Sequence, residues 1–96
     1  MMLWVLYDIA ADRARTRTAK LCKKAGLYRV QYSVFLGKVT ADERDALRLD
    51  IEDEIDPAGD KVYLFTLTKK DVGQAILLGQ AFDRKLVTDE VRALFL

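Results

Sequence analysis

Histidine is absent from the 96 residues. Its absence removes Ser-His-Asp and Cys-His nucleophiles, imidazole acid-base pairs and every zinc motif built on imidazole. Cysteine occurs once, at Cys22, so no internal disulfide forms, and a lone thiol fits a reducing compartment. The opening apolar run, Met2 to Tyr7, is too short to span a bilayer and lacks the basic start and small-residue cleavage site of a signal peptide. A cytoplasmic protein with no membrane partner is expected. Repeats, low-complexity segments and linkers are also missing, and a net charge of +1 excludes nothing on average.

What is present is a small, apolar-rich chain. With 51% hydrophobic residues the 96 positions make one globular domain with little stability to spare, so a second copy packing against it is a plausible part of the design. The organising stretch is the start. Met2-Leu3-Trp4-Val5-Leu6-Tyr7 has the length and the residue types of a buried central strand, and it delivers one acid, Asp8, at its far end. At a period of two, Asp8 shares a side with Met2, Trp4 and Leu6, read here as the side that points to a core. The strand must therefore open into solvent or a cleft by residue 8.

After Asp8, the apolar positions Ala14, Thr18, Leu21, Cys22 and Ala25 fall at helical intervals, with Asp12 as the expected N-cap and Gly26 as a left-handed C-terminal stop. Arg13, Arg17, Lys20 and Lys24 repeat on another face, with Arg15 and Lys23 close by. From Asp12 to Lys24, six cations minus one acid gives +5. Leu27 to Val39 reads as extended structure, either one long strand or two short ones reversing near Gln31 to Ser33. Thr40-Ala41-Asp42-Glu43 is a capping box, and Leu47, Ile51 and Ile55 give the helix it opens one buried face. From Asp42 to Asp60, nine acids against Arg44 and Arg48 sum to −7, so a polyanion is drawn to the first helix and repelled by the second.

Asp56 to Asp60, with Pro57 and Gly59, is a turn, and Lys61 to Thr68 is a strand apolar on both faces. The order is βαββαβ, an α+β sandwich with two helices on one face of a mainly antiparallel sheet. Residues 74–79 suit either a short strand or a helix that includes Val72. Val87 to Leu96 ends in Val91, Leu94, Phe95 and Leu96, apolar residues for which a partner subunit is one dock.

Two chemistries follow from the residues. Magnesium and manganese take oxygen ligands and often keep several waters on one or two carboxylates. Asp8 alone is too little, but two copies across a dimer axis can share an ion that activates water or steadies a phosphodiester. An isolated aspartate at a strand end more often bonds turn amides. The second chemistry is nucleic-acid binding by the basic helix with Arg29, Tyr28, Tyr32 and Phe35, although rings such as Tyr32 and Phe35 more often pack in a core.

Tyr7-Asp8-Ile9, then Asp12 with Arg15 and Arg17, then Arg29-Val30-Gln31-Tyr32-Ser33-Val34-Phe35-Leu36-Gly37 together resemble the CRISPR-associated Cas2 family. The resemblance runs from Met1 to about Thr68, with Ile76-Leu77-Leu78-Gly79 in the place of a final family strand. It implies a ferredoxin-like protomer, residues 1–68 as core and 69–96 as a C-terminal dimerisation segment, and a homodimer in which that last strand joins the partner's sheet. It further implies spacer acquisition with a Cas1 dimer, and for some members a magnesium-dependent endonuclease acting on RNA or DNA. On that pattern Asp8 is the metal ligand and Tyr7 its catalytic neighbour, while Arg15, Arg17, Arg29, Ser33 and Phe35 face the nucleic acid. Ala10 and Ala11 stand where polar residues are common, which removes outer-shell oxygens.

The resemblance leaves three functions in play. One is a dimeric metal-dependent phosphodiesterase. A second is a catalytically silent scaffold that bridges Cas1 dimers and binds DNA through Arg13, Arg17 and Lys20. The third is a VapD-like toxin ribonuclease that shares the opening strand.

Overall fold

Strand β1, Met2–Asp8, occupies an interior position in the computed structural model, which describes residues 1–81. It is followed by α1 (Asp12–Lys24), β2 (Tyr28–Gln31), β3 (Val34–Lys38), α2 (Ala41–Glu54), β4 (Lys61–Leu67) and a short α3 (Lys69–Gly73). The sheet order is β2-β3-β1-β4, and every neighbouring pair is antiparallel. Residues 27–39 thus form two strands reversing at Tyr32 and Ser33, with an irregularity between Arg29 and Gln31.

Both faces of β1 are apolar, and packing decides which one carries the main core. Leu3, Val5 and Tyr7 point toward α1 and α2, where they meet Ala19, Cys22, Phe35, Leu47 and Ile51. Burying a side chain the size of Leu3 or Phe35 contributes about 1.5–3 kcal/mol. The expectation that Met2, Trp4 and Leu6 face the principal core is corrected. Met2 and Trp4 belong to a smaller cluster with Val30, Leu36 and Val72 on the other side of the sheet. Asp8 lies on that second side, at its exposed end.

The helix ends show why the local sequence folds as it does. Thr40 caps α2 through its hydroxyl, which accepts from Glu43 N at 3.2 Å, while the Glu43 carboxylate accepts from Thr40 N at 2.8 Å. Gly26 ends α1 with φ +89°, a conformation that costs glycine little. Asp12 is not the N-cap. Ala11 holds that position in extended geometry without a side-chain bond, and Asp12 is the first helical residue, a favourable place for an acid beside the positive helix end.

Gly37 in β3 serves a different need. A Cβ there would lie 2.8 Å from Leu27 Cδ2 and 3.0 Å from Leu27 Cα, so the crossing of residues 26–27 over the sheet requires its absence.

After β4 the chain makes α3, whose Thr68 and Asp71 form a second capping box. Residues 75–78 pair with no strand, so among the described residues no fifth strand follows β4. Val87 and the apolar residues Val91, Leu94, Phe95 and Leu96 lie outside the described residues. No described helix is long and apolar enough to cross a membrane.

Candidate active site at the end of the first strand

Asp8 is the last residue of β1, exposed, and opposite Lys61 of β4 in the strand register. No described residue hydrogen-bonds its carboxylate. The turn-bonding role common for such an aspartate falls to Asp60 instead. Asp60 Oδ1 accepts from Ala10 N at 3.1 Å and Oδ2 from Asp56 N at 2.9 Å. These backbone bonds hold the Asp60 carboxyl below the usual range, with Asp56 the larger contributor and Ala10 next. The division leaves Asp8 available to an external partner.

Tyr7 points the opposite way, into the core. Its hydroxyl donates to Tyr32 O at 3.2 Å, its amide donates to Ser33 O at 3.1 Å, and its ring stacks on Phe35 at 6.3 Å. Burial raises the Tyr7 pKa, and the neighbouring Arg29 guanidinium pulls it the other way. Phe35 has no exposed surface, so it packs in the core and is closed to a base. Arg29 Cζ sits 5.1 Å from the Phe35 ring centroid, a cation–π contact on a half-buried side chain. Ser33 holds the turn through its main chain. Tyr7, Arg29, Ser33 and Phe35 therefore brace the β2–β3 turn against the end of β1.

The basic residues divide similarly. Arg15 turns back onto the β1–α1 loop, donating through Nη1 to Ile9 O at 3.1 Å and more weakly to Ala10 O at 3.4 Å, with Nη2 on Asp12. Arg17 reaches across to α2 and pairs with Glu54 at 3.5 Å. Arg13 and Lys20 are exposed and, among the described residues, unpaired. The cation-rich and acid-rich helices lie side by side on one face of the sheet, so the positive surface is a stripe with a negative border.

The sole thiol adds no nucleophile. Cys22 is buried, and burial pushes it up to about 12.

The family model for CRISPR associated protein Cas2 matches residues 1–75. This chain belongs to the Cas2 family. It is 35% identical over 78 residues to a CRISPR-associated endoribonuclease Cas2 of Archaeoglobus fulgidus, covering 81% of this chain and 83% of the relative. To a Cas2 endoribonuclease of Chloroflexus aurantiacus it is 36% identical, covering 86% of this chain and 98% of the relative. The crystal structure of Streptococcus pyogenes Cas2 superposes with a TM-score of 0.69 at 30% identity, over 82% of this chain and all of that one.

A Cas2 metal site must be tested against the residues themselves. Among the described residues no three acids or thiols converge on one point. At the end of β1 one protomer thus offers one carboxylate without a bond to a described residue, Asp8, which suits a hydrated divalent ion only if a second copy supplies another ligand. Sequence reading missed two residues at this end of the sheet. Asp60 occupies the loop amides and Lys61 stands opposite Asp8, while Tyr32, already a candidate aromatic from the sequence, is exposed on the β2–β3 turn. Only the tertiary register brings them together, and no motif spacing in the chain encodes that register.

Proposed function

We propose that this Cas2 protein is a metal-dependent endoribonuclease that works as a symmetric homodimer in the cytoplasm, with the two Asp8 carboxylates sharing a magnesium or manganese ion. The observation that carries this reading is the free Asp8 carboxylate, left unoccupied because Asp60 bonds the adjacent amides. The family context supports it, since curated relatives are named endoribonucleases. Bound there, the cation supplies a more acidic water and offsets charge on the phosphodiester. Asp8 holds the ion, Lys61 and the α1 cations attract the phosphate chain, and Arg15 and Asp60 fix the loop behind the carboxylate.

Dimerisation has support from the open face of the sheet. Tyr63 and Phe65 are each 52% exposed and lie side by side, while Ile76 and Leu78 in the unpaired segment are 84% and 78% exposed. Such a patch on a 96-residue chain marks an association surface, and among the described residues no strand pairs with the outer edge of β4, which could accept one from a second copy. Purified protein should cleave RNA with magnesium. Asp8→Asn or chelation should abolish cleavage without changing the fold, since Asp8 is exposed. Cleavage by Asp8→Asn at the parent rate would defeat the reading.

A second reading is favoured by the lack of a ligand cluster among the described residues of one protomer and by the cationic stripe of α1. In it the dimer bridges Cas1 dimers during spacer acquisition and holds DNA without cutting it. Replacing Arg13, Arg17 and Lys20 together would then weaken DNA binding in a salt-dependent way, while Asp8→Asn leaves acquisition intact.

A further inference from the structure

The two long helices carry equal and opposite charge. From Asp12 to Lys24, α1 holds six cations and one acid, or +5, and from Ala41 to Glu54, α2 holds seven acids and two arginines, or −5. They lie side by side on one face of the sheet, yet among the described residues a single ion pair, Arg17 with Glu54, joins them. Much of the charge points outward instead. Arg13, Lys20 and Lys24 fall at i, i+7 and i+11, on the side of α1 turned away from the buried Thr18 and Cys22. On α2, Asp42, Leu49 and Asp53 repeat that spacing, turned away from the buried Leu47 and Ile51, with Asp45 beside them. Leu49 is 56% exposed in the middle of this acidic row and belongs to neither apolar cluster. An exposed leucine alone is ordinary. The charge on either side of it is what specifies the chemistry of a partner.

We propose that this helix layer docks against the helix layer of a second copy, with the basic α1 of each lying over the acidic α2 of the other. The geometry permits both contacts at once. Arg17 meets Glu54, and Lys24 lines a groove with Glu43, so α1 and α2 run antiparallel. A two-fold axis running along the seam between them lays α1 on α2 and α2 on α1, a self-complementary contact in which each charged row meets its opposite. Laying like helix on like would set +5 against +5. In this register Leu49 is level with Cys22 of its own protomer, so it falls between Lys20 and Lys24 of the other copy. Their methylene stems can cover it while the ammonium groups reach Asp45 and Asp53. Exposed ion pairs are individually weak, so the contact is reversible and strongest at low salt. It lies on the opposite side of the sheet from Tyr63 and Phe65 and does not depend on the nuclease reading. A polyanion drawn to α1 competes for the same cations, so nucleic acid and a second copy exclude one another there.

The test is sedimentation velocity of the full chain, without nucleic acid or divalent ions, at low salt and at about 1 M salt, where the screening length is about 3 Å. The parent should gain mass at low salt and lose it at high salt. One variant, Lys20→Glu with Lys24→Glu, reverses the row on α1, and another, Asp45→Lys with Asp53→Lys, reverses the row on α2. Each sets like charges across the seam twice over, so each alone should associate about tenfold or more less tightly than the parent. An equimolar mixture of the two should regain the parent's low-salt mass, since every acidic row then meets a basic one, and that rescue also shows both variants to be folded. Leu49→Asn should weaken the low-salt association about tenfold, with the melting temperature unchanged because the side chain is exposed. A parent mass that ignores salt, or a mixture no heavier than either variant alone, overturns the proposal. Parent-like association of Leu49→Asn overturns it too, because unspecific charge attraction would not need the leucine.

Discussion

Arg15 separates two ways of understanding the basic helix. Family resemblance places it on the nucleic acid, whereas the structure turns it inward onto the carbonyls of Ile9 and Ala10 at 3.1 and 3.4 Å. Its contact with Asp12 adds little, since the side chains are 43% and 91% exposed. A hydrogen bond from a charged donor is worth about 1.5–3 kcal/mol when well buried, and partial exposure reduces the whole Arg15 clamp to about 1–2 kcal/mol. Arg15→Gln should therefore lower the melting temperature by roughly 5–15 °C for a domain of this size, at a fixed protomer concentration. The same variant should leave the salt dependence of RNA binding unaltered. A phosphate contact would behave in the opposite way: its loss makes the slope of log K against log salt shallower by about 0.7 and leaves folding alone. Thermal unfolding and a salt titration on the same preparation decide the matter. A variant that melts with the parent and shows the shallower slope refutes the clamp.

Gly37→Ala should destabilise the protein by about 1–3 kcal/mol, because the added methyl meets the backbone of Leu27 as well as its flexible tip; urea denaturation checks this, and a midpoint within error of the parent would refute the close crossing. Stability should also fall in acid through Asp60, Glu43 and Asp71, whose carboxyls are all held below their ordinary range by hydrogen bonds. A carboxyl depressed in the folded state contributes its full stabilisation above the unfolded pKa, near 4, and loses it as pH falls through the folded value. Melting temperature should be flat from neutrality to about pH 5 and then drop; the drop should be shallower in Asp60→Asn, and an identical acid limb would remove Asp60 from the account.

Much of the fold was legible because local chemistry and tertiary packing agree. The capping box at Thr40, the stop at Gly26 and the apolar periodicity of Leu47 and Ile51 each specify an element that the structure contains. The βαββαβ order follows up to β4. What was not legible depends on choices between equally apolar or equally charged alternatives. Met2, Trp4 and Leu6 are as hydrophobic as Leu3, Val5 and Tyr7, and only the approach of α1 and α2 selects the second set for the main core. The hairpin turn at Tyr32 and Ser33 contains no glycine, proline or asparagine to announce it. Asp8 and Asp60 are both acids next to a strand end, and which one bonds the loop amides is settled by a contact between distant parts of the chain.

Taken together, these contacts explain how a chain with so few reactive residues can present a site. Successive residues of a strand face opposite sides, so Tyr7 can enter the core and anchor the β2–β3 turn while Asp8, one position on, faces outward. Arg15 grips the carbonyls of Ile9 and Ala10, and Asp60 grips the Ala10 amide, so the backbone just beyond Asp8 is held from two sides. The carboxylate thus sits on rigid elements with its supporting bonds already made, which is what placement of an ion or phosphate requires. Under the proposed metal site, the further ligands that the described residues do not supply would come from a second copy. The face that carries Asp8 also carries the exposed Tyr63 and Phe65, so in the proposed dimer burying that apolar surface against a second copy and bringing in a second acid would be one geometric event. On that proposal folding stability and chemistry would draw on the same interface, and a change at Tyr63 or Phe65 that loosens the pair should weaken both together.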